Sequence, residues 1–77
     1  MNADIAVIGL AVMGQNLILN MNDHGFNVLA YNRSKNKIDD FVKGPAANTN
    51  IKGVYSLEQM IEGLKTPRKV MLMVRAG

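Results

Sequence analysis

Apolar residues along the chain gather into short runs of strand length, separated by segments with helical spacing. Strands are predicted over Asp4–Ile8, Asn27–Tyr31 and Lys69–Val74, with a shorter and weaker candidate at Ile51–Tyr55. The three stronger runs place apolar side chains on both faces. That pattern is typical of parallel strands covered by helices on both sides.

Helical spacing of apolar residues fills the gaps between these strands. Helices are predicted over residues 15–24, 35–43 and 57–64. Gly25 is placed to cap the first in a left-handed conformation, Gly44 stops the second, and Ser56 with Gln59 forms a capping box at the third. The order β-α-β-α-β-α-β predicts an α/β fold with right-handed crossovers and a parallel sheet, the first half of a doubly wound fold.

The first predicted strand runs directly into a glycine turn, Gly9–Gly14, that opens the first helix. Its G-x-A-x-x-G pattern is a variant of the dinucleotide-binding motif, in which Gly9 makes a tight turn and Gly14 lets helix and strand pack closely. Ala11 replaces the usual glycine and holds a pyrophosphate slightly farther from the backbone. The helix N-terminus offers N–H groups and partial positive charge to that anion. Glycines also serve ordinary strand-to-helix turns, so a second signal is needed.

The second signal lies at the end of the second strand, about 20 residues beyond the glycines, where NAD-binding domains carry a carboxylate for the ribose. This chain has Asn32, Arg33 and Ser34 there, followed by Lys35 and Lys37. Cations in the first turn of a helix oppose its dipole, and a ribose 2′-phosphate would remove that conflict. Arg33 is expected to bind the phosphate through its planar guanidinium, while Asn32 and Ser34 donate further hydrogen bonds. The sequence therefore favours NADP over NAD, with a solvated basic turn as the alternative.

The remaining charges of the second helix have predicted partners within it. Asp39 is expected to pair with Lys43, and Lys37 with Asp40, which leaves Arg33 and Lys35 without a local partner. A third segment, Val74–Ala76, follows the last strand. Ligands of such sheets bind beyond the carboxyl ends of the strands, so Val74–Ala76 is a candidate lining of the cofactor site. The alternative is that Arg75 is an ordinary surface charge.

Composition and charge argue against several other classes of function. The chain has no cysteine, and its six carboxylates form no acid–base pair or metal cluster along the sequence. The net charge of +3 comes without a basic stripe interleaved with aromatics, which argues against nucleic acid. No apolar run approaches the roughly 20 residues of a membrane span. His24 is expected to cap a helix end rather than act in catalysis. The amino terminus lacks the basic segment of a signal peptide, which favours a cytoplasmic location.

Three segments together resemble the amino terminus of the 6-phosphogluconate dehydrogenase family. They are Asp4–Gly14 (DIAVIGLAVMG), Tyr31–Ser34 (YNRS) and Thr66–Gly77 (TPRKVMLMVRAG), and the resemblance covers essentially the whole chain. Related β-hydroxyacid dehydrogenases more usually show G-L-G-x-M-G and N-R-T. Ala11 and Ser34 therefore favour the phosphogluconate branch.

The resemblance implies the NADP-binding part of an enzyme of the pentose phosphate pathway. That enzyme decarboxylates 6-phosphogluconate oxidatively to ribulose 5-phosphate, as a homodimer. The family's cofactor contacts carry over onto Gly9, Leu10, Ala11, Val12, Met13, Gly14, Asn32, Arg33, Ser34, Val74, Arg75 and Ala76. Many members carry lysine in place of Arg75. The family's catalytic residues lie beyond Gly77, so none is assigned here and the chain alone is expected to be inactive.

Two other interpretations remain open from the sequence. One is a 3-hydroxyisobutyrate-type dehydrogenase, which shares the cofactor but not the substrate. The other is a free-standing nucleotide-binding module without chemistry of its own. The expected strand order 3-2-1-4 places Lys69–Val74 at an edge, where a strand apolar on both faces is poorly protected. Residues 1–77 are therefore interpreted as a partial Rossmann-type domain truncated after the fourth strand.

Overall fold

Four segments of the chain pair as parallel strands, with a helix in each connection between them. The computed structural model describes residues 2–73. Its elements are β1 (Ile5–Ile8), α1 (Val12–Asp23), β2 (Val28–Tyr31), α2 (Lys35–Lys43), β3 (Lys52–Gly53), α3 (Leu57–Gly63) and β4 (Val70–Leu72). The strands lie in the order β3-β2-β1-β4. The predicted α/β class, element order and strand order are confirmed.

The two faces of the sheet bury separate apolar clusters. Val7 of β1 belongs to the cluster that joins the sheet to α1 and α2, whose fully buried helix residues are Ile18, Ile38 and Phe41. Ala6, its neighbour in β1, belongs to the opposite cluster with Met60 of α3. Successive strand side chains point to opposite faces, so β1 is buried on both. This is the burial that its sequence pattern predicts.

The helix ends follow their predicted capping chemistry. Gly25 has a φ of 90°, in the left-handed region that favours glycine. The Ser56 hydroxyl accepts a hydrogen bond from the Gln59 N–H at 3.0 Å, and the Gln59 side chain accepts one from the Tyr55 N–H at 2.7 Å. α2 has its predicted bounds, whereas α3 ends one residue early, at Gly63.

The largest difference in helix bounds is at α1, which begins at Val12 rather than at residue 15. The prediction placed the helix after the whole glycine turn. In the structure the turn ends at Ala11, and Gly14 is already helical and buried. Gly14 thus belongs to the first turn of α1, where it packs against Gly9, as described below.

β3 is shorter than predicted, with only Lys52 and Gly53 of the expected Ile51–Tyr55. It pairs with β2 over these two positions alone, at the edge of the sheet. A Cβ on Gly53 would lie 2.6 Å from the Ile38 Cγ2 atom, so α2 lies directly on this strand. Ile51 and Val54 on either side are buried, which accounts for the apolar pattern without a longer ladder.

The predicted ion pairs within α2 are wrong. Among residues 2–73 the ion pair that forms is Lys65 with Asp4, at 2.5 Å between Nζ and Oδ1. Asp39 instead accepts a hydrogen bond from the Tyr55 hydroxyl at 2.5 Å, which raises the pKa of that hydroxyl. The hydrogen bond from Lys65, and then the one from the Asn27 N–H, lower the pKa of Asp4.

The side of the sheet that carries β4 is thinly covered. Val70 and Leu72 are 45% and 65% exposed, as expected for an edge strand. Leu57 and Ile61, which share the apolar spacing that predicts α3, are also exposed, because α3 covers the centre of the sheet rather than this edge. Within residues 2–73, no helix has the length and apolar character needed to cross a membrane.

Candidate dinucleotide-binding site

The glycine turn is held by contacts that only glycine allows. Gly9 has a φ of 111°, and its N–H donates to the Tyr31 carbonyl at 2.8 Å, which extends the pairing of β1 with β2. A Cβ on Gly14 would lie 2.1 Å from the Gly9 carbonyl oxygen, far inside van der Waals contact. The close packing predicted for Gly14 is therefore confirmed. It brings the first turn of α1 against the carboxyl end of β1.

The N-terminus of α1 presents open backbone donors beside this turn. Ala11 is the N-cap in extended conformation, and its carbonyl accepts the Gln15 N–H at 3.0 Å. The N–H groups of the first helical residues have no acceptor within the helix. Val12 and Met13 are 74% and 72% exposed, and no acidic residue lies in this first turn. The positive end of the helix dipole therefore faces solvent, where an anion can approach it.

Leu10 has an internal role in the turn. Its side chain is buried in the cluster shared with α1 and α2. Its N–H donates to Asn32 Oδ1 at 3.0 Å, and its carbonyl accepts from Gln15 Nε2 at 2.8 Å. Its assignment as a cofactor contact stays a prediction, with both backbone groups already bonded inside the protein.

The start of α2 forms the second part of the site. Tyr31, the last residue of β2, lies opposite Ile8, the last residue of β1, so the two turns are neighbours at one edge of the sheet. Arg33, Ser34 and Lys35 are exposed, and the first turn of α2 carries no acidic residue. Ser34 occupies the N-cap position, but its hydroxyl makes no capping bond. Two helix N-termini and a group of cations therefore share this edge, although the predicted phosphate contacts are untested.

Asn32 joins the two turns, a role that the sequence analysis missed. Its Oδ1 accepts the Leu10 N–H, and its Nδ2 donates to the Ser34 carbonyl at 3.2 Å. From the sequence alone, Asn32 is expected to donate to the phosphate. A short amide directly after the second strand, neighbouring the glycine turn, is the signal that would have indicated a bridge.

The third predicted segment, Val74, Arg75 and Ala76, lies outside the described residues. The residue before it is placed at the same edge of the sheet. The Met73 N–H donates to the Ile8 carbonyl at 2.7 Å, and the Met73 Cβ is 3.5 Å from the position of a Cβ on Gly14. β4 thus ends beside the glycine turn.

Other candidate chemistry in the described part of the chain is sparse. In residues 2–73, no three metal-ligating side chains come together. His24 follows α1, and its Nδ1 lies 2.8 Å from the Asn20 carbonyl oxygen, as expected for a residue that caps the helix end. The glycine turn and the basic start of α2 are therefore the chemistry that this fold assembles.

A parallel sheet, a glycine turn without room for a side chain, and open helix N-termini at the carboxyl ends of β1 and β2 define a dinucleotide-binding α/β domain. Residues 4–77 match the family model described as the NAD binding domain of 6-phosphogluconate dehydrogenase. The chain belongs to this family.

Curated relatives agree with the family match. The chain is 70% identical over 74 residues to 6-phosphogluconate dehydrogenase, decarboxylating, of Haemophilus influenzae, a match covering 96% of this chain and 15% of the relative. It is 61% identical over 75 residues to the enzyme of the same name from Ovis aries, covering 97% of this chain and 16% of the relative. The chain thus spans about a sixth of the length of these relatives.

Proposed function

We propose that this chain is the NADP-binding part of a 6-phosphogluconate dehydrogenase, which decarboxylates 6-phosphogluconate oxidatively to ribulose 5-phosphate in the pentose phosphate pathway. The observation that carries the proposal is the pairing of the glycine turn with a basic, carboxylate-free start of α2 at the same edge of the sheet. The reaction is supported by the relatives, which are decarboxylating 6-phosphogluconate dehydrogenases.

In this proposal the two turns divide the cofactor between them. The N-terminus of α1 receives the pyrophosphate, with Ala11, Val12 and Met13 exposed around it. The start of α2 receives the ribose 2′-phosphate through Arg33, with Ser34 as a further donor. Val74, Arg75 and Ala76, which lie outside the described residues, remain predicted contacts of the cofactor. NADP supplies the nicotinamide that accepts a hydride from the substrate, and this chain binds and orients it.

The preference for NADP over NAD follows from charge. An aspartate or glutamate at the end of β2 would accept hydrogen bonds from the ribose hydroxyls of NAD and repel a 2′-phosphate. Asn32 carries no charge at that place, and Arg33 and Lys35 follow it. A 2′-phosphate there gains an attraction that the unmodified ribose lacks. The dimer and the substrate contacts of the parent enzyme belong to the same proposal.

A chimera tests the activity directly. In the Haemophilus influenzae relative, the matching 74 residues are replaced by those of this chain, and reduction of NADP and of NAD by 6-phosphogluconate is followed. We expect turnover with a kcat/KM at least about tenfold higher for NADP. The same chimera carrying Gly14→Ala is the control and should be inactive. A folded chimera without turnover, or one that favours NAD, would contradict the proposal.

A further inference from the structure

We propose that Asn32 is a positioning residue that fixes the two cofactor-binding turns to each other, rather than a ligand of the 2′-phosphate. This inference rests on the proposed function and assigns a different role to one residue of its site. It starts from two hydrogen bonds of a single side chain, one to each turn.

The first bond holds the glycine turn. The Leu10 N–H donates to Asn32 Oδ1 at 3.0 Å, across 22 positions of sequence. The bond is part-buried. Without this acceptor, the Leu10 N–H would lose its internal partner in a part-buried position, which is costly for a backbone donor.

The second bond holds the start of α2. Asn32 Nδ2 donates to the Ser34 carbonyl at 3.2 Å, and the same carbonyl accepts the Lys37 N–H at 3.2 Å. The Ser34 hydroxyl makes no capping bond, so the Asn32 amide is the side chain that ties down this N-cap residue. The direction in which Arg33 leaves the backbone depends on that geometry.

The two bonds also limit what Asn32 can offer to a ligand. Its oxygen already accepts a hydrogen bond, and one of its two amide hydrogens is committed to Ser34. Arg33 and Lys35, by contrast, are exposed and adjacent. Phosphate recognition therefore falls to the cations, and Asn32 sets the distance between the pyrophosphate turn and the phosphate turn.

The two roles predict different effects on the two cofactors. A direct phosphate ligand affects NADP alone, since NAD has no 2′-phosphate. A bridge between the turns affects both cofactors, because both carry the pyrophosphate and the adenosine ribose. We expect Asn32→Ala to weaken NADP and NAD by a similar factor of about ten. Arg33→Ala is the matched control and should weaken NADP alone.

The test combines calorimetric titration of NADP and NAD into the 77-residue chain with hydrogen exchange of the Leu10 amide, followed by nuclear magnetic resonance. Asn32→Ala should also speed exchange at Leu10, whereas Asn32→Asp keeps the acceptor and should restore its protection. This rescue separates the bridge from a general loss of stability, which would speed exchange throughout β1. If Asn32→Ala weakens NADP and leaves NAD binding and Leu10 exchange unchanged, Asn32 is a phosphate ligand and the inference is wrong.

The unaltered chain separates this inference from the proposed function. If it binds neither dinucleotide, the proposed function fails and Asn32 has no cofactor turns to position. If it binds NADP while Asn32→Ala affects neither cofactor, the proposed function stands and only the bridge is overturned.

Discussion

The turns after β1 and β2 lie side by side, yet one consists mainly of packed backbone and the other mainly of exposed side chains. The glycine turn is backbone packed on backbone, and Gly14 leaves no space for even a methyl group. The basic turn at the start of α2 consists of exposed side chains, and its N-cap hydroxyl makes no capping bond. The binding properties of the glycine turn depend on backbone packing, which the fold fixes. Those of the basic turn depend mainly on which side chains it exposes.

Under the proposed function, each turn has a separate task. Backbone N–H groups at a helix N-terminus recognise a pyrophosphate, which NAD and NADP share. Charged side chains at the end of β2 recognise what distinguishes the two. Changes in the glycine turn should therefore affect the fold and both cofactors together. Changes at the exposed cations of the basic turn, unlike a change at the bridging Asn32, should affect the choice of cofactor and leave the fold intact.

The largest expected effect is that of Gly14→Ala. Its Cβ would lie 2.1 Å from the Gly9 carbonyl oxygen, so backbone must move. We expect a loss of more than about 3 kcal/mol in the free energy of unfolding, and loss of binding of both dinucleotides. Chemical denaturation measures the first and calorimetry the second.

Gly25→Ala is the matched control for that change. Gly25 has a left-handed conformation that favours glycine, unlike helical Gly14, but apart from its chain neighbours no atom lies within 4 Å of its Cβ position. It should cost only about 1–2 kcal/mol from backbone strain and leave cofactor affinity unchanged. Equal effects of the two substitutions would contradict the role given to close packing in the glycine turn.

Arg33→Ala comes next and tests the other half of the comparison. Removing a charge-assisted hydrogen bond should weaken NADP binding by about 1–3 kcal/mol and leave NAD binding unchanged. Because Arg33 is exposed, the free energy of unfolding should change by less than about 0.5 kcal/mol. Lys43→Ala, at the opposite end of α2, removes an equal charge and should alter neither affinity. If Arg33→Ala weakens the binding of NADP and NAD by similar amounts, this turn does not bind the 2′-phosphate.

A smaller effect is expected from salt. The cations of the basic turn are solvent-exposed, so their attraction for phosphate is screened as the Debye length falls from about 10 Å at 0.1 M salt to about 3 Å at 1 M. As the salt concentration rises, the affinity for NADP should fall more than the affinity for NAD. The ratio of NADP affinity to NAD affinity should therefore decrease. A ratio independent of salt would indicate that the preference has a different origin.

The smallest effect concerns Asp4, which pairs with Lys65 at the amino end of β1, at the opposite end of the strand from the glycine turn. Hydrogen bonds from Lys65 and from the Asn27 N–H lower the pKa of Asp4. Its contribution to stability is therefore present above about pH 4, near the ordinary aspartate value, and is lost as the pH falls through the lowered pKa. In Asp4→Asn, the free energy of unfolding should therefore decrease less as the pH is lowered through the acid range, the acid limb of the stability curve. Lys65→Met should flatten it similarly, and an unchanged limb in both variants would show that the pair contributes nothing.

Local signals in the sequence were sufficient for most of the fold. Alternating elements, the φ of Gly25 and the capping box at Ser56 are decided by neighbouring residues, and all were predicted. Contacts between residues distant in the sequence were harder to predict from it. The bond of Asp39 to Tyr55 replaced an expected pair within α2, because packing of α2 on β3 brings the two side chains together.

The candidate site shows the same division. The tight turn at Gly9 and the close packing at Gly14 follow from the motif alone. The bridge through Asn32 depends on β1 and β2 ending side by side, which the motif does not encode by itself. Burial of Leu10 within the turn was missed for the same reason. The backbone geometry of the glycine turn was therefore predictable from the motif, whereas the internal hydrogen bonds that hold the site were not.

Titration of the unaltered chain with NADP and with NAD under identical conditions is the most direct test of the central claim, that the basic turn selects the phosphorylated cofactor. We predict that NADP binds at least about tenfold more tightly, a difference of about 1.4 kcal/mol. Equal affinities, or tighter binding of NAD, would contradict it.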